Sequence, residues 1–137
     1  MAEQFAKAWL AQKSLEYRVI SRALTDRYEP PNSRASSHSV QILAEDFSLD
    51  LRSHRSALLT AAEVEDAQLI IGVTESHVQT IKQRFPAATG KVYSFGSDVP
   101  DPWHASIGVY RDCARKMEPL VHNVLDRHLD HLIVINK

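Results

Sequence analysis

Between Thr60 and Phe85 the chain reads as a capped helix, an apolar strand and a second capped helix with almost nothing between them. That succession restricts the fold more than any other feature. Thr60-Ala-Ala-Glu63 is a capping box, in which a Thr hydroxyl and a Glu carboxylate each satisfy an orphan amide of the first helical turn. Gln68-Leu-Ile-Ile-Gly-Val73 is an apolar run of strand length, the pattern of a strand buried on both faces. Thr74 caps the next helix, with Val78, Ile81 and Phe85 on one face and Pro86 closing it. Lys91 to Phe95 follows as another strand. Strands joined by a helix this directly require a parallel sheet with a right-handed crossover, and so an α/β fold.

The flanking segments fit the same architecture. Ala2 to Lys13 places Phe5, Ala8, Trp9 and Leu10 among polar residues at helical spacing, and no Ser, Thr, Asp or Asn precedes it as a cap. Leu15 to Ser21 reads as a short strand, followed by a polar loop with Tyr28, Pro30 and Pro31. Ser36 caps a helix with Val40, Leu43 and Phe47 on one face. A long helix starts near Ser106 and sets Ile107, Tyr110, Ala114, Met117, Val121 and Val124 at spacings of three and four. Pro119 interrupts its backbone bonding and is expected to kink it. The chain ends in His131-Leu-Ile-Val-Ile-Asn-Lys137, rich in strand formers.

Composition supplies the exclusions. A chain of 137 residues, 44% hydrophobic and 24% charged, fits one domain over residues 1–137 with its own core. No apolar run approaches the ~20 residues of a spanning helix, and the N-terminus lacks the order of a signal peptide. A cytoplasmic protein is expected. The net charge of −1 gives no global reason to bind nucleic acid or an anionic membrane. The single cysteine, Cys113, excludes an internal disulfide and a Cys-based zinc site. Neither a metal nor any other cofactor is expected, because His128 and His131 near one helix end are too few ligands for a site.

Asp101-Pro102-Trp103 is the sharpest local feature. It follows a strand, where α/β folds build their ligand sites, and Pro102 holds Asp101 toward extended backbone beside an aromatic side chain. Two readings compete: a turn with a packing tryptophan, or a carboxyl positioned as a general acid. Cys113 lies about two turns inside the last helix near its apolar stripe, which favours a buried, inert thiol. The residue six positions after it is Pro119, not an arginine. His54, between Arg52 and Arg55, reads as a surface or supporting histidine.

In order, these motifs resemble the low-molecular-weight protein tyrosine phosphatase family. The aromatic helix after Met1-Ala2-Glu3, the loop with Tyr28-Glu29, Asp50-Leu-Arg-Ser-His54-Arg-Ser, Leu69-Ile-Ile-Gly-Val-Thr-Glu-Ser-His77, Lys91-Val-Tyr-Ser-Phe-Gly, Asp98-Val-Pro-Asp101-Pro-Trp103 and Ile107-Gly-Val-Tyr110 carry the likeness. It implies a three-layer α/β sandwich on a small parallel sheet, and hydrolysis of phosphotyrosine in proteins or of small aryl phosphates. It also implies roles: Asp101 as general acid, Tyr28 and Trp103 as walls around the substrate ring, and His54 as support behind the phosphate loop.

The departure from the family's pattern concerns the nucleophile. The strand and Cys-x5-Arg loop that precede the first helix in the family have no counterpart in these residues, so negligible turnover is expected of this polypeptide alone. A non-catalytic binding module is the alternative. Without that central strand, two strands would stand about 9.6 Å apart with unpaired backbone on both edges. Two arrangements repair this: a true start upstream of Met1, or insertion of Leu132-Ile-Val-Ile-Asn136 into the empty position.

Overall fold

The structure, a computed structural model, describes residues 1–27, 29–102 and 104–130. Helix α1, Ala2–Gln12, starts on Met1 without a side-chain cap and buries Phe5, Ala6, Trp9 and Leu10. It stops at Ser14, whose φ of 56° is left-handed, and the Leu15 amide donates back to the Leu10 carbonyl at 2.9 Å. Helix α2, Ser37–Phe47, takes Ser36 as its cap. Its buried face centres on Ile42 and Leu43, with Val40 and Phe47 only partly covered. Phe47 meets Phe5 edge to face at 4.9 Å between ring centroids.

Helix α3, Ala61–Asp66, opens with the expected capping box, both of its hydrogen bonds being made. Strand β1, Ile70–Gly72, helix α4, Glu75–Arg84, and strand β2, Val92–Ser94, then form one βαβ unit. The strands are parallel, with Ile70, Ile71 and Gly72 opposite Val92, Tyr93 and Ser94. Gly72 is needed where it stands. A Cβ there would lie 2.8 Å from Val78 Cγ2 and 2.9 Å from the Val78 nitrogen, so glycine lets β1 and α4 close on one another. Helix α5, Ile107–Leu125, continues past Pro119 and ends in a wider π-type turn, Asp126–Asp130.

Side chains of the sheet alternate between two cores, which defines the layers. Leu69, Ile71 and Val73 pack into the larger core of α1, α2 and α5. Ile70 and Val92 pack into the smaller one with Val64, Val78 and Ile81 of α3 and α4. The α/β architecture on a small parallel sheet is therefore as the sequence implied.

The expected strand over Leu15–Ser21 differs. Its side chains do alternate, with Leu15, Tyr17 and Val19 inward and Glu16, Arg18 and Ile20 outward. From Glu16 to Arg22, however, no backbone group bonds another backbone group among the described residues; pairing begins at Ala23, in a parallel bridge to Leu58. Alternation sets the direction of side chains, but a strand is completed by a neighbour at about 4.8 Å. None of the described residues supplies one here. The tail, 132–136, proposed above for the empty position, lies outside the described residues.

Candidate active site

Of the functional side chains named from sequence, His54 and Asp101 lie among the described residues, on the loops that follow α2 and β2. The first loop, after the extended segment, is tied to the loop carrying His54. The Asn32 amide donates to the Ser56 carbonyl at 2.7 Å and the Ser56 amide to the Ser33 carbonyl at 2.8 Å, beside an antiparallel bridge between Arg34 and Arg55. Tyr28 belongs to the first loop and lies outside the described residues.

His54 is held by its backbone. Its amide donates to the Leu51 carbonyl at 3.2 Å, and the Arg55 guanidinium donates to the His54 carbonyl at 2.8 Å. Leu51 anchors this loop in the larger core. Arg52 forks onto Asp50 through Nε and Nη2 at 3.0 and 2.9 Å. That pair and the Arg52 amide hold the Asp50 carboxyl down to about 2. The His54 imidazole is pushed below its ordinary pKa, mainly by burial; the carboxylate of Glu3 opposes this, while the Met1 ammonium, Lys7 and Arg22 add to it.

The third loop carries Asp101, and it is pinned on both sides. The Glu75 amide donates to Asp98 Oδ1 at 2.8 Å, so Asp98 satisfies an orphan amide of α4. Lys116 donates to the Asp98 carbonyl at 2.9 Å. Val99 is buried, and the Cys113 thiol lies 3.9 Å from the Pro100 carbonyl. Beyond Asp101, the Ala105 amide closes on the Pro102 carbonyl at 2.8 Å, and His104 takes a left-handed φ of 63°. The exposed carboxylate is thus carried on a short, tethered loop. Trp103, the second expected wall, lies outside the described residues.

Cys113 is buried, as its position on the apolar stripe implied. Burial pushes its thiol above the ordinary value, and Asp101 adds to this against the Met1 ammonium and Lys116. Asp101, Cys113, His54 and Glu3 therefore share one electrostatic neighbourhood around the first turn of α1. The Met1 ammonium itself is lowered by burial. Among the described residues no group of three His, Cys, Asp or Glu side chains could hold a metal ion. His128 stacks on Tyr93 at 3.9 Å instead.

Two further elements complete the site, the first of them not foreseen. Arg22 Nε donates to Glu63 at 2.8 Å, so Glu63 serves the α3 capping box and anchors the end of the extended segment at once. Burial alone would raise the Glu63 carboxyl, but the hydrogen bonds from Thr60 and Arg22 outweigh it and hold it below its usual value. The second is a groove of about 1120 Å³ lined by Ala2 and Glu3, by Val19 to Arg22, by Leu69 to Val73 and by Asp101. A Glu at the third position of a capping box was the available signal for the first; the groove lies where the sequence reading expected an empty strand position.

A family model described as low molecular weight phosphotyrosine protein phosphatase matches residues 1–132. The chain is 30% identical over 131 residues to a protein-arginine-phosphatase of Bacillus subtilis (strain 168), covering 90% of this chain and 84% of that one. It is 27% identical over 88 residues to a probable low molecular weight protein-tyrosine-phosphatase, EpsP, of Ralstonia nicotianae, covering 61% and 60%. Among solved structures, a YwlE mutant from Bacillus subtilis superposes with a TM-score of 0.81 at 29% identity over 92% of this chain and 86% of the other. The low molecular weight protein tyrosine phosphatase from T. tengcongensis gives a TM-score of 0.84 at 21% identity over 92% and 88%, a likeness of fold.

Proposed function

Because this chain belongs to the low molecular weight phosphotyrosine protein phosphatase family, we propose that Asp101 is the proton donor of a phosphomonoesterase site, and that these residues alone give negligible turnover. Cleaving a phosphomonoester needs a nucleophile at phosphorus, donors around the non-bridging oxygens, and a proton for the leaving oxygen as the P–O bond breaks. Asp101 suits the last task, being exposed, on a loop tethered through Asp98, Val99 and Pro100. His54, half-buried and electrostatically coupled to the first turn of α1, suits support from behind. Tyr28 and Trp103 are the proposed walls of the substrate site.

The observation that carries the reading of low activity is the seating of Cys113. It is the one thiol in the sequence, it is packed beneath Pro100, burial holds it protonated, and no arginine stands six residues on. A nucleophile needs the thiolate and an open line to phosphorus, and this thiol has neither. The expected result is no hydrolysis of an aryl phosphate above background by the pure protein. Turnover that persists in both Asp101→Asn and Cys113→Ser would overturn this assignment.

The substrate class has two candidates. The family description names phosphotyrosine, while relatives from Bacillus subtilis and Geobacillus stearothermophilus are protein-arginine-phosphatases. Parallel assays with a phosphotyrosine peptide and a phosphoarginine peptide separate them. A non-catalytic binding module is the second reading, favoured by the same buried thiol. It requires saturable binding of one of those peptides with no phosphate released. A cytoplasmic location belongs to the same proposal; among the described residues no helix is long and apolar enough to cross a membrane.

A further inference from the structure

We propose that the outer face of the ladder joining the two loops, together with a trough beside α2, is a docking surface for an acidic protein segment that carries an apolar side chain. It is separate from the Asp101 groove and uses none of the residues assigned to catalysis. Its centre is a pair of like charges. Arg34 and Arg55 stand opposite one another in the antiparallel bridge between the loops. The Ser56 amide bonds the Ser33 carbonyl just outside that pair. The pair is therefore of the close, non-hydrogen-bonded kind, with Cα atoms about 4.5 Å apart and both side chains on one face. Two cations so placed repel one another unless an anion lies between them.

Among the described residues the chain supplies no such anion. Neither arginine enters an ion pair there. Arg55 commits Nη1 to the carbonyls of Arg52 and His54, at 3.3 and 2.8 Å, which leaves Nε and Nη2 open. Arg34 is exposed. The carboxylates of the neighbouring segments are placed elsewhere. Asp26 and Glu29, on the loop of Arg34, line the groove with Asp101 and Ser56, and alternation along the ladder turns Arg34 and Arg55 to the opposite side. Asp50 is forked by Arg52, and Glu45 and Asp46 of α2 are held by Arg111. The positive charge is left for a partner.

An apolar surface adjoins the pair. Val40, Ala44 and Ser48 follow one another at intervals of four along α2, and with Leu49, Asp50 and Arg52 they border an open trough of about 340 Å³. Arg34 lies two residues before the Ser36 cap of α2, and the Arg55 guanidinium rests on the Arg52 carbonyl, so the arginines stand at one end of the trough. A guanidinium takes a carboxylate through paired hydrogen bonds, and Val40, Ala44 and Leu49 offer apolar contact to a Leu or Met side chain. A nucleic acid fits less well. It would meet Asp50 and find no aromatic ring along the trough on which to stack a base.

The test uses the full chain and a short fluorescein-labelled peptide of Glu and Asp around a central Leu pair, without phosphate. Fluorescence anisotropy should show saturable binding that weakens about tenfold in Arg34→Glu, the loss of one charge-assisted contact. Raising salt from about 0.05 to 0.5 M should weaken it as well, and so should Ala44→Gln or a peptide with Ser in place of Leu. Arg34→Gln should bind with intermediate affinity, a grading by charge that a disturbed loop would not give. Thermal melts of both Arg34 variants should match the parent. Absence of saturable binding, or unchanged affinity in Arg34→Glu, would overturn the proposal. So would equal binding of a Lys-rich peptide around the same Leu pair, or tighter binding of a uridine oligonucleotide. A dimer of the chain that Arg34→Glu dissociates would also overturn it, by assigning the face to a second copy. Because the probe carries no phosphate, its binding is decided independently of whether a phosphopeptide is hydrolysed.

Discussion

The two walls of the groove carry sequences of comparable strand character and reach different ends. Gln68 to Val73 becomes a strand because Val92, Tyr93 and Ser94 lie beside it and α4 covers it through Val78 and Ile81. Leu15 to Ser21 keeps its inward face in the larger core but gains no ladder among the described residues. The difference teaches that side-chain pattern decides which way a segment faces, whereas pairing is a property of two segments. The wall paired in β1 should therefore be sensitive to substitution, and the wall without a ladder among the described residues tolerant.

The largest contrast is expected between Ile81→Ala and Val19→Ala in chemical denaturation. Ile81 is 4% exposed and fills the smaller core, so its truncation should cost about 2–5 kcal/mol. Val19, partly covered beside the groove, should cost less than about 1.5 kcal/mol, the range of a small deletion that the site can relax around. Equal losses would break the comparison. Gly72→Ala comes next: its Cβ must displace Val78, side chain and backbone together, at roughly 1–3 kcal/mol. A neutral result in thermal melts would mean that β1 and α4 can separate cheaply.

Arg22→Ala tests the anchor of the unpaired wall. The pair with Glu63 is about a quarter exposed, so screening limits the loss to roughly 0.2–1 kcal/mol. A double-mutant cycle with Glu63→Gln reads it directly. The smallest effect is the pH dependence from His54. Its folded-state pKa lies below the unfolded value of about 6.5, so the unfolded chain binds the proton more tightly. Stability from this group is present above pH ~6.5 and declines on acidification below it. His128 acts in the same direction. His54→Gln should flatten part of that slope, and an imidazole titrating at or above the ordinary value by NMR would refute the assignment.

Much of this fold was legible in the residues. Ser36, Thr60 and Thr74 announced three helix starts because their hydroxyls answer a purely local need. The stripe of α5 was equally plain, since Tyr110, Ala114, Met117, Val121 and Val124 repeat at helical spacing and are all buried. Leu15 to Ser21 was legible only in its alternation, because no local signal encodes the partner. At the site, Asp101-Pro102 marked the loop, but the tethers from Asp98 to α4 and to Lys116 join residues far apart in sequence. The α2 face rotated toward Ile42 for a related reason: contact with α5, absent from any helical wheel, chose among its apolar residues.

The contact between Cys113 and Pro100 makes the chain's one thiol a clock for the loop above it. Sγ meets solvent reagents when residues 98–102 lift, so an alkylation rate counts those openings. A ligand that rests on Asp101 and holds the loop down slows that clock whether or not it is ever cleaved. Occupancy of the site can thus be timed independently of turnover.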